Sequence, residues 1–331
     1  MKLLSTNENG IYCAQGNFYI DPWKPVKHAL ITHAHADHAR LGNQKYLCHI
    51  YTEPILRLRL GENLNIQTID YYKEININGV KVSFHPAGHV IGSAQIRLEY
   101  KGEIWVVTGD YKLYDDGIST PYEPVKCHNF ITDSTFGLPI YQFDSPLKVF
   151  KEIEDWWKEN QSQDLNTIVM CYSLGKAQSI LNSIDQSIGD IYVHPAVYNI
   201  NLAFEKVGFY FNAQPIFQET DKSLIKNSLI ICPPATDGSA WQKKLGPSKK
   251  SFCSGWMQVR GARRRRGVDK GFVFSDHCDF QSLNQAIKNS EAENIYVTHG
   301  YEIQFTKWIN EGLGLNGQVL HTLFNDNDEE E

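Results

Sequence analysis

Apolar positions in the first 135 residues fall in short runs, rich in Val, Ile, Tyr and Phe and broken by Gly, Asn or Asp. That punctuation predicts closely spaced strands over 17–20, 28–32, 46–51, 65–71, 80–84, 94–100, 103–108 and 129–132. Lys101-Gly102, between two of these runs, marks a hairpin turn. The period changes near residue 144. Ser145 stands where it can cap a helix with Pro146 at its first position. Leu147, Phe150, Ile153 and Trp157 then form one apolar stripe at helical spacing, which predicts packing against a core. Beyond it, strands over 167–172, 191–194 and 228–232 alternate with helices that follow Leu174 and His194. Such alternation predicts a parallel βαβ layer, distinct from the strand-rich start. Strand, helix, strand and helix return over 271–275, 280–288, 294–298 and 302–310, and the acidic tail 325–331 reads as disordered.

Composition narrows the class. The 331 residues leave room for one large domain or two ordinary ones. Apolar residues at 42% and charged residues at 21% are globular values and exclude a wholly disordered chain. No apolar run reaches 18 residues, so no transmembrane helix is expected. The start, Met1-Lys2-Leu3-Leu4-Ser5, lacks the apolar stretch of a secretory signal, and a cytoplasmic location is expected. The 7 cysteines are scattered and never form a C-x-x-C pair, which argues against a disulfide framework and a thiolate zinc site.

The net charge of −6 is unevenly spread. Between Lys243 and Lys270 ten basic residues meet one acid, Asp269, giving +9; the remaining 22 basic and 37 acidic residues give −15. A basic block in an acidic chain points to a local anionic partner, with a solvated loop as the plain alternative.

The densest chemistry is His33-Ala34-His35-Ala36-Asp37-His38, directly after Ala29-Leu30-Ile31. In an extended segment His33 and His35 share a side. A turn at Asp37-His38 lets those two face a second point, with the small Ala34 and Ala36 permitting the bend. Imidazole and carboxylate without thiolate suit zinc, manganese or iron. One segment cannot complete two shells. Further donors are expected from His89 in Ala87-Gly88-His89-Val90-Ile91-Gly92-Ser93-Ala94-Gln95, Asp110 in Thr108-Gly109-Asp110 and His299 in Thr298-His299-Gly300. Each ends an apolar run beside a glycine, where a sheet edge presents ligands.

Together these motifs resemble the metallo-β-lactamase fold and, more narrowly, the β-CASP nucleases, which include RNA 3′-end cleavage enzymes, ribonuclease J and the DNA-repair nuclease Artemis. Thr132-Asp133-Ser134-Thr135-Phe136-Gly137 is similar to the acidic motif closing the first lactamase half. Phe274-Ser275-Asp276-His277-Cys278-Asp279 is similar to the histidine motif reopening the second. Phe18-Tyr19-Ile20-Asp21-Pro22-Trp23, Gly109-Asp110-Tyr111-Lys112, Phe136-Gly137-Leu138-Pro139 and Cys253-Ser254-Gly255-Trp256-Met257 resemble the bacterial DNA-ligase-associated exonuclease group.

The resemblance implies an α/β fold, an αββα sandwich built from 1–140 and 268–331 with a β-CASP cap, 141–267, inserted. It implies two divalent ions, zinc first and manganese second. His33, His35 and His89 would hold one and Asp37, His38 and His299 the other, with Asp110 bridging. Asp21 would stand behind them, orienting the histidine loop. Asp37, Asp133 and His277 would be catalytic, His277 and Asp133 serving the departing oxygen. Lys176, Ser254, Gly255 and Arg263, Arg264, Arg265 and Arg266 are candidates for phosphate binding. Leu174-Gly175-Lys176-Ala177-Gln178 is no Walker motif, since Ala177 stands where Ser or Thr is required.

The leading expectation is a two-metal phosphodiesterase acting on nucleic acid: a DNA exonuclease of repair, DNA before RNA, alongside a ligase or helicase system and no membrane. The first rival is an RNA-processing nuclease of the same fold, which His299 mildly favours. A lactamase-fold hydrolase of thioesters or lactams is the second, and the inserted cap, basic block and Asp133/His277 pair argue against it. A catalytically dead binding module is the third. It predicts missing ligands, and none is missing. His85 reads as supporting the site; His28, His49, His128, His194 and His321 read as ordinary.

Overall fold

The computed structural model describes residues 2–221, 225–259, 261 and 267–323. Arg263, Arg264, Arg265 and Arg266, and the acidic tail 325–331, lie outside the described residues. The chain is mixed α/β, with three sheets among the described residues, and divides into two compact units: Met1–Gln142 with Asp276–Asp328, and Phe143–Ser275.

The first unit holds two sheets. One runs in chain order through Leu4–Asn7, Gly10–Cys13, Phe18–Ile20, Ala29–Leu30, Tyr46–His49 and Ile66–Ile69. The other runs Asn316–Val319, Asn294–Thr298, Asn129–Asp133, Glu103–Val107, Ala94–Tyr100, Val80–Pro86 and Ile75–Ile77. Period-two alternation gives this second sheet two buried faces. Trp105, Val107, Ile131 and Tyr296 share a core with Phe18, Ile20, Leu30 and Leu47 of the first sheet. Their neighbours Val106, Phe130, Ile295 and Val297 pack with Leu283, Ala286 and Ile287 of helix Phe280–Ser290 and with Phe305 and Ile309 of helix Glu302–Glu311. Asp279 caps the former helix, accepting from the N–H of Ser282 at 2.8 Å.

The strands Glu103–Val107, Asn129–Asp133 and Asn294–Thr298 are parallel, as are Ala29–Leu30 and Tyr46–His49. Their carboxyl ends lead into Asp110, Asp133, His299 and the loop of His33. In open α/β sheets that is where ligands bind. Lys101 and Gly102, both at positive φ (51° and 83°), close the expected two-residue hairpin between paired Tyr100 and Glu103.

The second unit holds one parallel sheet in the order Gln214–Pro215, Ile191–Val193, Leu229–Cys232, Asn166–Met170, Ser248–Cys253 and Lys270–Phe272. The last strand carries the segment up to Ser275 into this unit, past the boundary at 268 read from the sequence. In helix Pro146–Gln161 the buried face is Val149, Phe150, Ile153, Trp156 and Trp157, while Leu147, assigned to the stripe, is 76% exposed. Ser145 occupies the cap position without a side-chain cap hydrogen bond. Strand Ser248–Cys253 lies inside the basic block, and there Lys250 pairs with Asp237 at 2.8 Å and Lys249 with Asp269 at 3.8 Å. Among the described residues no helix is long and apolar enough to cross a membrane.

Candidate metal centre

The loop after Ala29–Leu30 is fastened before it offers a ligand. Thr32 donates its N–H to Asp21 Oδ1 at 2.8 Å and its hydroxyl to Asp21 Oδ2 at 2.5 Å. That second oxygen also lies 2.8 Å from His38 Nδ1, so His38 turns Nε2 toward the centre. Gly109 lies against the same Thr32 at φ 56°, and a Cβ there would meet Thr32 Oγ1 at 2.5 Å. Only glycine lets the strand end come this close and deliver Asp110.

Three imidazoles converge. Nδ1 of His35 lies 3.1 Å from Nε2 of His33 and 3.0 Å from Nε2 of His89. Tetrahedral zinc with bonds of about 2.05 Å sets its nitrogens about 3.3 Å apart, so the spacing fits one ion. His89 donates Nδ1–H to the carbonyl of Asp276 at 2.8 Å, which leaves a lone pair on Nε2. Burial pushes the His35 pKa down to about 3, helped by neighbouring His33, and burial likewise holds His89 well below the usual imidazole range. Neutral imidazole is the ligating form.

A second trio is Asp37, His38 and His299. Asp37 Oδ2 lies 3.3 Å from His38 Nε2 and 3.9 Å from His299 Nε2, and the His38 and His299 rings stack at 5.0 Å. Burial opposes the His38 imidazolium, but the Asp37 and Asp110 carboxylates outweigh it and hold the pKa well above the ordinary value. His299 itself sits at φ 57°, followed by Gly300 at φ 66°, where a Cβ would meet Thr135 Cα at 2.5 Å. Ser134 donates its hydroxyl to the carbonyl of His299, tying this turn to the end of strand Asn129–Asp133.

Asp110 stands between the trios. Its Oδ2 lies 3.4 Å from His33 Nε2, 3.5 Å from His38 Nε2 and 3.7 Å from His89 Nε2. Its Oδ1 is buried without a hydrogen-bond partner among the described residues. A buried carboxylate oxygen left so is costly unless a cation serves it. His33, His35, His89 and Asp110 can hold one ion, and Asp37, His38 and His299 another.

His277 borders the first trio, its ring 4.8 Å from that of His89. Its Nδ1 lies 3.3 Å from Asp133 Oδ2, while Asp133 Oδ1 accepts the N–H and hydroxyl of Thr135, both at 2.6 Å. Of the phosphate candidates, Lys176, Ser254 and Gly255 belong to the second unit. Lys176 is 3% exposed with its ammonium 4.5 Å over the Tyr172 ring. Gly175 N–H is taken by Gln178 Oε1 at 2.8 Å, and the Ser254 hydroxyl accepts from the N–H of Trp256 at 3.3 Å, with Gly255 buried beside it.

Two supports lie beyond the motif residues read as ligands. The backbone carbonyl of Asp276 fixes His89, and its carboxylate belongs to a cluster with His89 and His277. The buried ammonium of Lys112 donates to the carbonyl of His89 at 2.6 Å and to Asp116 at 2.8 Å. Of the histidines read as ordinary, His49 is buried and stacked 3.7 Å from Tyr71, His128 accepts from the N–H of Ile104, and His194 caps helix Pro195–Glu205. His85 meets the Ser83 hydroxyl at 3.0 Å.

No family model matches the chain. Among curated proteins it is 28% identical over 306 residues to a protein of Opitutus terrae named "Probable DNA ligase", covering 92% of this chain and 30% of that protein. It is 30% identical over 291 residues to "Endoribonuclease YSH1" of Yarrowia lipolytica (71% and 35% covered), and 26% identical over 180 residues to "Cleavage and polyadenylation specificity factor 73" of Drosophila melanogaster (53% and 26%). The chain thus spans about a third of the length of these relatives or less. A crystal structure from Enterococcus faecalis, of a protein of unknown function, shares the fold with a TM-score of 0.62 at 11% identity, covering 90% of this chain and 80% of that one. By its motifs and these relatives, the chain is kin to the metallo-β-lactamase-fold β-CASP nucleases and to the DNA-ligase-associated group.

Proposed function

We propose that the chain is a two-metal phosphodiesterase that hydrolyses nucleic acid, a DNA exonuclease of cytoplasmic DNA repair working beside a ligase or helicase. The observation that carries this is Asp110 Oδ2, within 3.4 to 3.7 Å of Nε2 atoms drawn from both ligand trios. His33, His35 and His89 would hold one ion and Asp37, His38 and His299 the other, with Asp110 available to both. The nitrogen and oxygen donor set favours zinc and accommodates manganese. When bound, the ions supply Lewis acidity to the phosphodiester and to the attacking water.

The chain's own groups do the rest. Asp21 keeps the His38 ring oriented. Asp133 accepts from Nδ1 of His277, which leaves Nε2 to carry the proton that the departing oxygen takes up. Asp37 adds its carboxylate beside the attacking water. In this reading the two-sheet unit, Met1–Gln142 with Asp276–Asp328, would be the αββα sandwich and the parallel-sheet unit, Phe143–Ser275, the inserted β-CASP cap. Lys176, Ser254, Gly255 and Arg263 to Arg266 are the cap's candidates for phosphate.

DNA is favoured by the alignment of 92% of this chain with a protein named as a DNA ligase. The relatives named endoribonuclease support RNA as the second reading. A time course on 5′- and 3′-labelled single-stranded DNA and RNA, with zinc or manganese, decides. Metal-dependent shortening of DNA from one end is expected. Cleavage of RNA alone would move the assignment to the second reading, and cleavage of neither would end both.

A further inference from the structure

Helix Glu53–Leu60 carries two arginines in contrasting surroundings. Arg57 is saturated: Nε and Nη2 donate to Glu53 Oε1 at 2.9 and 2.7 Å, and Nη1 to the carbonyls of Glu62 and Leu64 at 2.5 and 3.3 Å. Arg59, two residues on, makes a single hydrogen bond among the described residues. Its Nη1 donates at 2.5 Å to the carbonyl of Ala34, in the middle of the loop between His33 and His35. The Arg59 side chain is exposed, and no carboxylate pairs with it among the described residues. Burial lowers the guanidinium pKa, and the Asp37 carboxylate opposes that in part. A guanidinium stays charged throughout the working pH range.

A cation is therefore anchored on the backbone of the ligand loop, between His33 and His35, with Nε–H and the Nη2 donors unspent among the described residues. A planar fork with free donors matches the oxygens of a phosphodiester, and such charge-assisted pairs are among the stronger hydrogen bonds. We propose that Arg59 binds a phosphate of the nucleic-acid strand at the metal centre. The inference rests on the nucleic-acid reading above and adds a substrate contact to it. The alternative role, a brace for the loop 33–38, makes different predictions.

The test uses the metal-loaded full chain, wild type, Arg59→Gln and Arg59→Lys. For each, kcat/KM on labelled single-stranded DNA and RNA is followed across salt concentrations, alongside metal content and melting temperature. Arg59→Gln should lose about 10- to 100-fold in kcat/KM, the range for one lost charged hydrogen bond. Its log–log salt slope should flatten by about 0.7, one single-strand phosphate contact. Arg59→Lys should keep the slope and recover part of the rate, because it keeps the charge without the fork. Both variants should retain metal. An unchanged slope in Arg59→Gln overturns the proposal, as does loss of metal or of melting temperature in both variants, which would assign the brace. A wild type that cleaves neither DNA nor RNA removes the nucleic-acid reading itself, and the Arg59 contact with it.

Discussion

Asp21 Oδ2 lies 2.8 Å from Nδ1 of His38, and the same carboxylate takes both the N–H and the hydroxyl of Thr32. One buried acid thus sets the ring orientation of one candidate ligand and the course of the loop that carries three more. Asp21 reaches this position at φ 42°, a conformation that Asn also tolerates. Asp21→Asn should therefore fold, but its amide cannot accept from all three partners. Loss of such a supporting contact typically weakens metal binding 10- to 100-fold. Competition against a zinc chelator measures it, and wild-type affinity in the variant would remove Asp21 from the metal's support.

His277 and His35 should separate cleanly. His277 leans on Asp133 beside the two trios, where it also clusters with Asp110, so its role, acid or ligand, is what the variants separate. His277→Ala should lose roughly 10²- to 10⁴-fold in single-turnover rate while keeping both ions and most substrate affinity. His35→Ala should lose metal as well as rate. Metal content measured beside the rates reads the difference. An ion lost from His277→Ala would make it a ligand, and a normal rate would leave it no catalytic part.

The ammonium of Lys112 is 1% exposed and is spent on the His89 carbonyl and on Asp116, which also accepts from the N–H groups of Ile118 and Ser119. Burial raises the Asp116 pKa, but Lys112 and those N–H groups more than offset it, so the folded value is depressed. The sign follows: this pair's stabilisation is complete above the unfolded aspartate pKa of about 3.9 and is lost as pH falls through the folded value. Lys112→Met strands a buried carboxylate and should cost about 3–5 kcal/mol. Adding Asp116→Asn should recover part of that. Denaturant melts at neutral pH give both numbers, and a Lys112→Met cost below about 1 kcal/mol would show the pair to be dispensable.

The candidate donors that the fold brings together were legible because their chemistry is compressed: residues 33–38 hold three imidazoles and a carboxylate, and each later donor closes an apolar run beside a glycine. What escaped was set by tertiary context. Leu56-Arg57-Leu58-Arg59-Leu60 alternates with a period of two, yet it is helical, because Thr52-Glu53-Pro54 starts a helix and burial of Ile55 and Leu56 fixes its face. Arg59 could be placed against the loop of His33 and His35 only once that helix was known. Strand Ser248–Cys253 was hidden by Lys249 and Lys250, whose charges read as surface until Asp269 and Asp237 are seen opposite. The hairpin Leu4–Asn7 with Gly10–Cys13 is too polar on one edge to stand out. Lys112 looks like any surface lysine until Asp116 is brought beneath it.

His49 offers a pH test away from the metal. It is fully buried, its ring stacked 3.7 Å from Tyr71, and its Nδ1 accepts from the N–H of Tyr51. Burial pushes its pKa down to about 4, with Asp70 opposing only in part. An unfolded histidine titrates near 6.5, so between those values the unfolded chain holds the extra proton. Stability must therefore fall as pH drops through that window and be unaffected by His49 above it. Between pH 7.5 and pH 5 the loss from this one group is on the order of 2 kcal/mol. His49→Phe keeps a ring against Tyr71 and removes the proton site. A constant offset from wild type at neutral pH cancels in the comparison, and the difference between the two pH values should shrink by about 2 kcal/mol. Urea melts at both pH values measure it. An acid sensitivity equal to that of the wild type would mean that His49 is already accessible to the proton in the folded chain.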